Sequence, residues 1–87
     1  MTIWKFPIII TDAVAVKMPA GAQVLSVQVQ KEVVCLWAIV NPDNPMEDRR
    51  FRIYGTGNPC FSPANRFVGT FQIYGGELVF HLFEDRP

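Results

Sequence analysis

The chain has 87 residues, 49% of them hydrophobic, and its eight basic residues balance its eight acidic residues. This length predicts one domain, residues 1–87, and the hydrophobic content excludes a disordered tail. Because general nucleic-acid binders usually carry a basic excess, the neutral charge argues against nucleic acid as a partner. The longest apolar runs, residues 6–10 and 33–40, are too short to cross a bilayer, so no membrane partner is expected.

The first half of the chain is predicted to form four short strands, because residues alternate or are β-branched and no apolar stripe recurs at helical period. Thr2–Ile10 is the first, and Pro7 within it cannot donate a ladder hydrogen bond, so this strand should lie at an edge or break there. Ala13–Met18 is the second, and Gln23–Gln30, with the clearest alternation, is the third. Val33–Val40 is apolar on both faces, which is typical of a central, doubly covered strand.

The second half is predicted to hold three strands, Arg49–Tyr54, Arg66–Tyr74 and Glu77–Phe83. An exposed loop, Asn41–Asp48, precedes the first of them, and a long loop rich in glycine and proline, Gly55–Asn65, follows it. Gly75-Gly76 is predicted to be a two-residue hairpin turn, and Glu84–Pro87 a frayed tail. Seven short strands with closely spaced turns predict an all-β fold, a single small antiparallel sandwich or barrel built from consecutive hairpins.

Hairpin register predicts which side chains share a face of the sheet. The glycine turn places Thr70 opposite His81. A turn at Lys31-Glu32, where neither residue favours a positive φ, places Ser26 opposite Trp37. Strict alternation then assigns one face to the core. The predicted core residues are Leu25, Val27, Val29, Leu36, Phe51, Ile53, Phe67, Phe71, Leu78, Phe80 and Leu82. The opposite face is predicted to collect Ser26, Gln28, Trp37, Arg50, Arg52, Tyr54, Thr70, Gln72 and His81.

The stretch Arg49–Gly57 concentrates charge, aromatic character and backbone freedom. Arg50 and Arg52 are two residues apart, so their side chains should project from one face of a strand, about 6.5–7 Å apart. Guanidinium groups suit phosphate or carboxylate, and Tyr54 on the same face can stack on a ring. A glycine-rich turn follows, and such a turn can aim backbone N–H groups at an anion. Its residues are Gly55, Thr56, Gly57 and Asn58.

These features also fit a purely structural interpretation. Arg50 and Arg52 can form ion pairs on a solvated sheet. The acidic residues considered as their partners are Glu47, Asp48 and Glu77. Trp37, in a strand that is apolar on both faces, fits the core as well as it fits the flat wall of a binding site.

Catalysis, metal binding and a cofactor are not expected. His81 is the single histidine of the sequence. Its predicted position beside Thr70 is typical of a hydrogen-bonded structural residue. The alternatives are that it serves as a general base or contacts a ligand. No spacing assembles a nucleophile, a base and an orienting group, and no second histidine or neighbouring cysteine completes a metal site. Cys35 and Cys60 form no motif and are expected to be free thiols in a reducing cytoplasm.

Six segments give the chain a family resemblance: TIWKF, MPAGA, CLWAIV, RFRIYGTGNP, VGTFQ and LVFHLFE, in this order from Thr2 to Glu84. Together they resemble a family of small uncharacterised proteins common in tailed bacteriophages and prophages. The resemblance carries over no catalytic or ligand-binding residue. It implies a host bacterial cytoplasm and a phage-related role, and small phage proteins often block host defence proteins or sequester the nucleotide signals of those systems.

We therefore expect a non-enzymatic binding protein that captures a small phosphate-bearing ligand, such as a nucleotide immune signal. Its expected ligand-binding residues are Arg50, Arg52, Tyr54, Gly55, Thr56, Gly57, Asn58, Trp37 and His81. The alternative is a protein–protein interaction module, either an inhibitor of a host defence protein or a minor phage structural subunit.

A homo-oligomer, most simply a dimer, is the last expectation. At this length only about 60% of the surface of the unfolded chain is buried on folding, so a chain rich in apolar residues leaves some of them uncovered. Ile3, Ile9, Val79 and Phe83 fall on strand positions opposite the predicted core face. A two-fold contact would cover them and an open sheet edge.

Overall fold

The structure, a computed structural model, describes residues 1–60 and 65–85. Within them, seven strands are formed: β1 (Thr2–Ile8), β2 (Ala13–Pro19), β3 (Gln23–Gln30), β4 (Val33–Val40), β5 (Met46–Gly55), β6 (Arg66–Ile73) and β7 (Leu78–Glu84). A single turn of 3₁₀-helix, Tyr74–Gly76, joins β6 to β7. The prediction of an all-β fold of about seven strands is confirmed.

The described strands form two antiparallel sheets, a three-stranded sheet in the order β1-β4-β3 and a four-stranded sheet in the order β2-β5-β7-β6. Among the strands of residues 1–60 and 65–85, only β3–β4 and β6–β7 are hairpins, so the predicted construction from consecutive hairpins is wrong. The short connections after β1 and β2 carry the chain from one sheet to the other instead of folding it back onto its neighbour. Pro7 lies in β1, an edge strand, as predicted.

The core lies between the two sheets, where alternate residues of the strands meet. Six of the predicted core residues are buried: Val27, Leu36, Phe51, Ile53, Phe71 and Leu82. Val29 and Phe80 pack against them and are partly buried. β4 is the central strand of its sheet, as predicted. Its outer face is not fully covered, however, because Val33 is 45% exposed.

Leu25, Phe67 and Leu78 were predicted to lie in the core and do not, because they are 43%, 55% and 44% exposed. The β3 register shifts between Val24 and Ser26, so Leu25 is an extra residue at a bulge. The β6 register shifts between Phe67 and Gly69, so Val68 is the extra residue there, and the Phe67 ring lies beside its partner Phe83 on the outer face. Leu78 has the predicted parity but is the first residue of β7, at the end of the sheet.

Both predicted turns set the registers that the sequence indicated. Lys31 and Glu32 form the β3–β4 turn with φ values of 49° and 67°. The β6–β7 connection has four residues, not two, but it is centred on the same glycines, so Thr70 still lies opposite His81. Its first residue, Tyr74, also has a positive φ of 52°.

A buried ion pair joins the two central strands of the four-stranded sheet. Arg49 faces inward and donates hydrogen bonds to both carboxylate oxygens of Glu84. Arg49 Nη1 also donates to the backbone carbonyl of Ala22, just before β3 of the other sheet, at 2.7 Å. The hydrogen bond with Glu84 raises the pKa of Arg49 above its ordinary value. Glu84 is thus a buried strand residue, and the prediction of a frayed tail is wrong there; residues 86–87 lie outside the described range.

Replacing Lys31 by Asn and Glu32 by Gly should raise the free energy of unfolding by about 1–2 kcal/mol, because both positions hold L-residues at positive φ. Urea unfolding measures the change. The converse control is Gly21→Ala, at φ 78° with no atom within 4 Å of an added Cβ, which should lower stability by about 1 kcal/mol. A double variant no more stable than wild type would show that the turn is unstrained.

Arg49→Met should lower the free energy of unfolding by about 3 kcal/mol, because the Glu84 carboxylate and the Ala22 carbonyl lose their partner in a largely dry environment. The double variant Arg49→Met/Glu84→Leu should recover most of this loss. Lys17→Met is the matched control, since its 3.1 Å pair with Asp48 is exposed; it should cost less than about 1 kcal/mol. Equal losses for Arg49→Met and Lys17→Met in urea unfolding would refute a special role for the buried pair.

Candidate functional site

The outer face of the four-stranded sheet carries four of the predicted site residues: Arg50, Arg52, Tyr54 and His81. Phe51 and Ile53 point into the core and are 0% and 5% exposed. Since side chains alternate along β5, Arg50, Arg52 and Tyr54 point outward together, as predicted.

Arg52 is engaged in an ion pair on this face. Its Nε lies 3.0 and 3.2 Å from the two carboxylate oxygens of Asp85. The backbone N–H of Asp85 in turn donates to the carbonyl of Arg50 at 2.8 Å. The structural interpretation, in which the arginine forms a surface ion pair, therefore holds for Arg52. Its partner is not one of the three acidic residues considered from the sequence. The partner is Asp85, because β7 runs beside β5 and ends next to Arg52. Among residues 1–60 and 65–85, Arg50 forms no ion pair or side-chain hydrogen bond.

A small hollow of about 150 Å³ lies between the arginines and β2. It exists because the residues of β2 that face Arg52 and Arg50 across the ladder are Ala13 and Ala15. Their methyl groups leave space that larger side chains would fill. The hollow is bordered by both arginines and by Asp85, and its size suits one phosphate or carboxylate group.

A larger cavity of about 460 Å³ opens at the end of β5, and Arg52 borders both it and the small hollow. Four predicted site residues line it: Arg52, Tyr54, Gly55 and Asn58. The remaining lining residues are Ile10, Thr11, Asp12, Ile53, Pro59 and Phe80. The Asn58 side chain packs over Gly55, where an added Cβ would lie 2.9 Å from Asn58 Nδ2 and would displace that amide.

Two backbone donors of the glycine-rich turn, which were predicted to face an anion, are used within the fold. The N–H of Thr56 donates to Val79 O at 3.1 Å, and that of Asn58 donates to Gly55 O at 3.0 Å. These two groups are therefore used within the fold and are not directed at an anion. Gly57 adopts a φ of 89°, which permits the tight turn.

His81 holds the turn against the sheet. One ring nitrogen, Nε2, lies 2.7 Å from Thr56 Oγ1, and the other, Nδ1, lies 2.9 Å from Thr70 Oγ1. The hydrogen bond with Thr70 fits the structural interpretation of the sequence. With both nitrogens engaged, the imidazole positions the turn and has no nitrogen left to serve as a general base in this arrangement.

Tyr54 belongs to an aromatic strip on the outer face. Its ring meets Phe83 edge-on at a centroid distance of 5.7 Å, and Phe83 meets Phe67 at 5.3 Å. The Tyr54 hydroxyl is buried without a hydrogen-bond partner in the part of the chain that the structure describes. Packing on Phe83 fixes the ring at the edge of the larger cavity.

Trp37 is not part of this site. It lies on the outer face of the three-stranded sheet, opposite Lys5 and Ser26, whereas Arg50 and Arg52 lie on the outer face of the other sheet. The single polar and aromatic face predicted from alternation is therefore two faces on opposite sides of the molecule. Alternation distinguishes inward from outward residues but does not assign a strand to a sheet.

Sequence reasoning missed three residues that shape the site: Ala13, Ala15 and Asp85. The alanines gave no signal because only the β2–β5 pairing, which joins strands far apart in sequence, brings them opposite the arginines. Asp85 was assigned to a frayed tail. Cys35 and Cys60 are free thiols, the first buried and the second exposed, as expected. Within the described ranges, no group of three or more His, Cys, Asp or Glu residues could hold a metal ion.

The chain belongs to the family described as a domain of unknown function (DUF7352), whose model matches residues 1–87. No curated protein matches the chain, and no solved structure does. None of the helical structure in the described residues is long and apolar enough to cross a membrane.

Proposed function

We propose that this protein is a non-enzymatic binding protein that captures a small phosphate-bearing ligand on the outer face of the four-stranded sheet. One observation carries the proposal: Arg50 and Arg52 border a hollow of phosphate size, and Arg52 also borders a cavity large enough for the rest of a nucleotide-sized ligand. Guanidinium groups bind phosphate oxygens through charge-assisted hydrogen bonds.

In the bound state, a phosphate group lies over Ala13 and Ala15 and accepts hydrogen bonds from Arg50 and Arg52. It replaces the Asp85 carboxylate, whose pair with Arg52 is half-exposed and is therefore weak enough to exchange. Asp85 thus competes with the ligand for Arg52. The protein therefore binds the ligand more weakly than it would if Asp85 did not occupy this arginine.

The larger cavity receives the organic part of the ligand. Phe80 and Ile10 give it apolar walls, and the Asn58 amide and the Asp12 carboxylate can bond to hydroxyl or ring N–H groups. This combination suits the sugar and base of a nucleotide. Together with the resemblance to phage proteins, it favours a nucleotide immune signal sequestered in the host bacterial cytoplasm.

Thermal-shift screening against cyclic dinucleotides and ADP-ribose derivatives should identify a ligand that stabilises the protein. Arg52→Gln should weaken its binding about 10-fold to 100-fold, because one charge-assisted phosphate contact is lost. Asp85→Asn should tighten binding several-fold by removing the competing carboxylate. Lys17→Gln is the matched control. Lys17 is a basic residue on the outer face of β2, like Ala13 and Ala15, but it lines neither the small hollow nor the larger cavity. Ligand binding by this variant should be unchanged.

Two outcomes would count against phosphate capture at this site. The first is the absence of stabilisation by every ligand in the panel at concentrations well above micromolar. The second is a ligand that binds wild type and Arg52→Gln equally, since it would lie elsewhere on the molecule.

The aromatic strip favours protein binding as a second candidate function. Phe67 is 55% exposed on an edge strand and continues a row of rings through Phe83 to Tyr54. Aromatic residues with arginine nearby are typical of interface centres. The partner would be a host defence protein or another phage structural subunit. A partner lost by Phe67→Ser and retained by Arg52→Gln would favour this function over phosphate capture.

We also propose that the chain forms a homo-oligomer, most simply a dimer. Val79 and Phe83 are half-buried on the outer face of the four-stranded sheet. Ile9 is 73% exposed, whereas Ile3, 58% exposed, lies on the outer face of the three-stranded sheet and would stay uncovered in a contact through the outer face of the four-stranded sheet. A two-fold contact through that face would bring two copies of the arginine pair around one ligand with two phosphates. Light scattering at micromolar concentration should give the mass of two chains. The mass of one chain, unchanged when the concentration is raised tenfold, would refute the dimer.

A further inference from the structure

A second cavity, of about 410 Å³, lies where the β3–β4 turn and the β6–β7 turn meet. Its lining residues are Ile10, Val29, Glu32, Gln72, Ile73, Tyr74 and Gly75. It shares only Ile10 with the cavity beside Arg52, and neither Arg50 nor Arg52 lines it. A molecule bound in this cavity would therefore contact neither arginine.

Two residues at the rim of this cavity have a positive φ, which is unfavourable for residues other than glycine and asparagine. Of the three non-glycine residues with positive φ in the described chain, Glu32 (67°) and Tyr74 (52°) both line the cavity. Asn or Gly would occupy these positions without strain. Strained residues persist where the structure or the function requires their side chains. The Glu32 carboxylate and the Tyr74 phenol ring are therefore the groups at this rim for which a function should be sought.

The polar groups around the cavity suit a cation. Glu32 is exposed. Within residues 1–60 and 65–85, its side chain forms no ion pair or hydrogen bond, and no basic side chain lines the cavity. The Tyr74 ring, 73% exposed, offers a π-face. The amide oxygen of Gln72 lies beneath the turn, 3.1 Å from where a Cβ of Gly76 would be. Val29, Ile73 and Ile10 complete the walls with apolar surface.

We propose that this cavity binds an alkylammonium group. The ammonium lies between the Glu32 carboxylate and the Tyr74 ring, and its alkyl stem lies against Val29, Ile73 and Ile10. The carboxylate supplies the charge, the ring supplies a cation–π contact, and the apolar walls select a cation on a hydrocarbon stem over an inorganic one. The same chemistry is presented by a free aliphatic amine and by the lysine side chain of a partner protein.

NMR titration of the full chain with n-butylammonium should give saturable shifts of the amide signals of Val29, Ile73 and Ile10, with a Kd of about millimolar, as befits so small a ligand. n-Butanol, a neutral molecule of the same shape, should bind at least tenfold more weakly. Nα-acetyl-lysine N-methylamide identifies the source of the group. Tenfold tighter binding than n-butylammonium indicates a protein lysine, and equal or weaker binding indicates a free amine.

Variants at the rim distinguish binding from folding. Glu32→Gln should abolish the n-butylammonium shifts, whereas Glu77→Gln, an exposed acid of the β6–β7 connection that does not line the cavity, should leave them unchanged. Tyr74→Asn relieves the positive φ, so the protein should become more stable while its affinity falls several-fold. Saturation by n-butanol at the same concentration as n-butylammonium, or undiminished shifts in Glu32→Gln, would overturn the proposal.

Discussion

The ion pair between Arg49 and Glu84 is the contact on which the arrangement of the four-stranded sheet depends. Both residues lie on the inner face, where Phe51 opposes Glu84 across the β5–β7 ladder. A slip of one residue in β5 would turn Arg50 inward and expose Phe51, so the pair and the core enforce the same register. The bond from Arg49 to the Ala22 carbonyl extends the constraint to the other sheet. With Arg49 committed to the interior, Arg50 and Arg52 are left on the outer face.

Strand β5 therefore carries two ion pairs with different properties, one with Glu84 at the end of β7 and one with Asp85 directly after it. The side chain of Arg49 is 18% exposed and that of Glu84 is 10% exposed, so water and ligands have little access to them. The side chain of Arg52 is 47% exposed, and ion pairs as exposed as its pair with Asp85 contribute little to stability. Burial thus separates Arg49, whose pair lies inside the fold, from Arg52, whose pair is accessible to solvent, although the two are only three residues apart.

Local periodicity predicted what lies within one strand or one hairpin. The alternation of β5 correctly placed Phe51 and Ile53 inside and Arg50 and Arg52 outside, and the centre of the glycine turn correctly set Thr70 opposite His81. Features that depend on long-range pairing were not predictable in this way. The bulges that direct the side chains of Leu25 and Phe67 outward cannot be detected from the alternation of residues, because an extra residue is recognised only by comparison with the partner strand.

The residues of the candidate site also divide into those that are close in sequence and those that long-range strand pairing brings together. Arg52, Tyr54, Gly55 and Asn58 come together around one cavity because they are close in sequence. Trp37 was grouped with them by facing direction alone and lies on the other sheet, and the two alanines and Asp85 reach the arginines through non-consecutive strand pairs. Sheet membership is set by the chain's crossings between sheets, which no local pattern encodes.

NMR chemical-shift mapping with a cyclic dinucleotide and with ADP-ribose tests most directly whether the arginine face is the binding surface. Saturable shifts on addition of at least one of them should be confined to the residues that line the small hollow and the larger cavity, with the largest changes at Ala13, Ala15 and Arg52. Saturable shifts centred on Trp37 and the three-stranded sheet, or no saturable shift with either ligand, would contradict phosphate capture by Arg50 and Arg52.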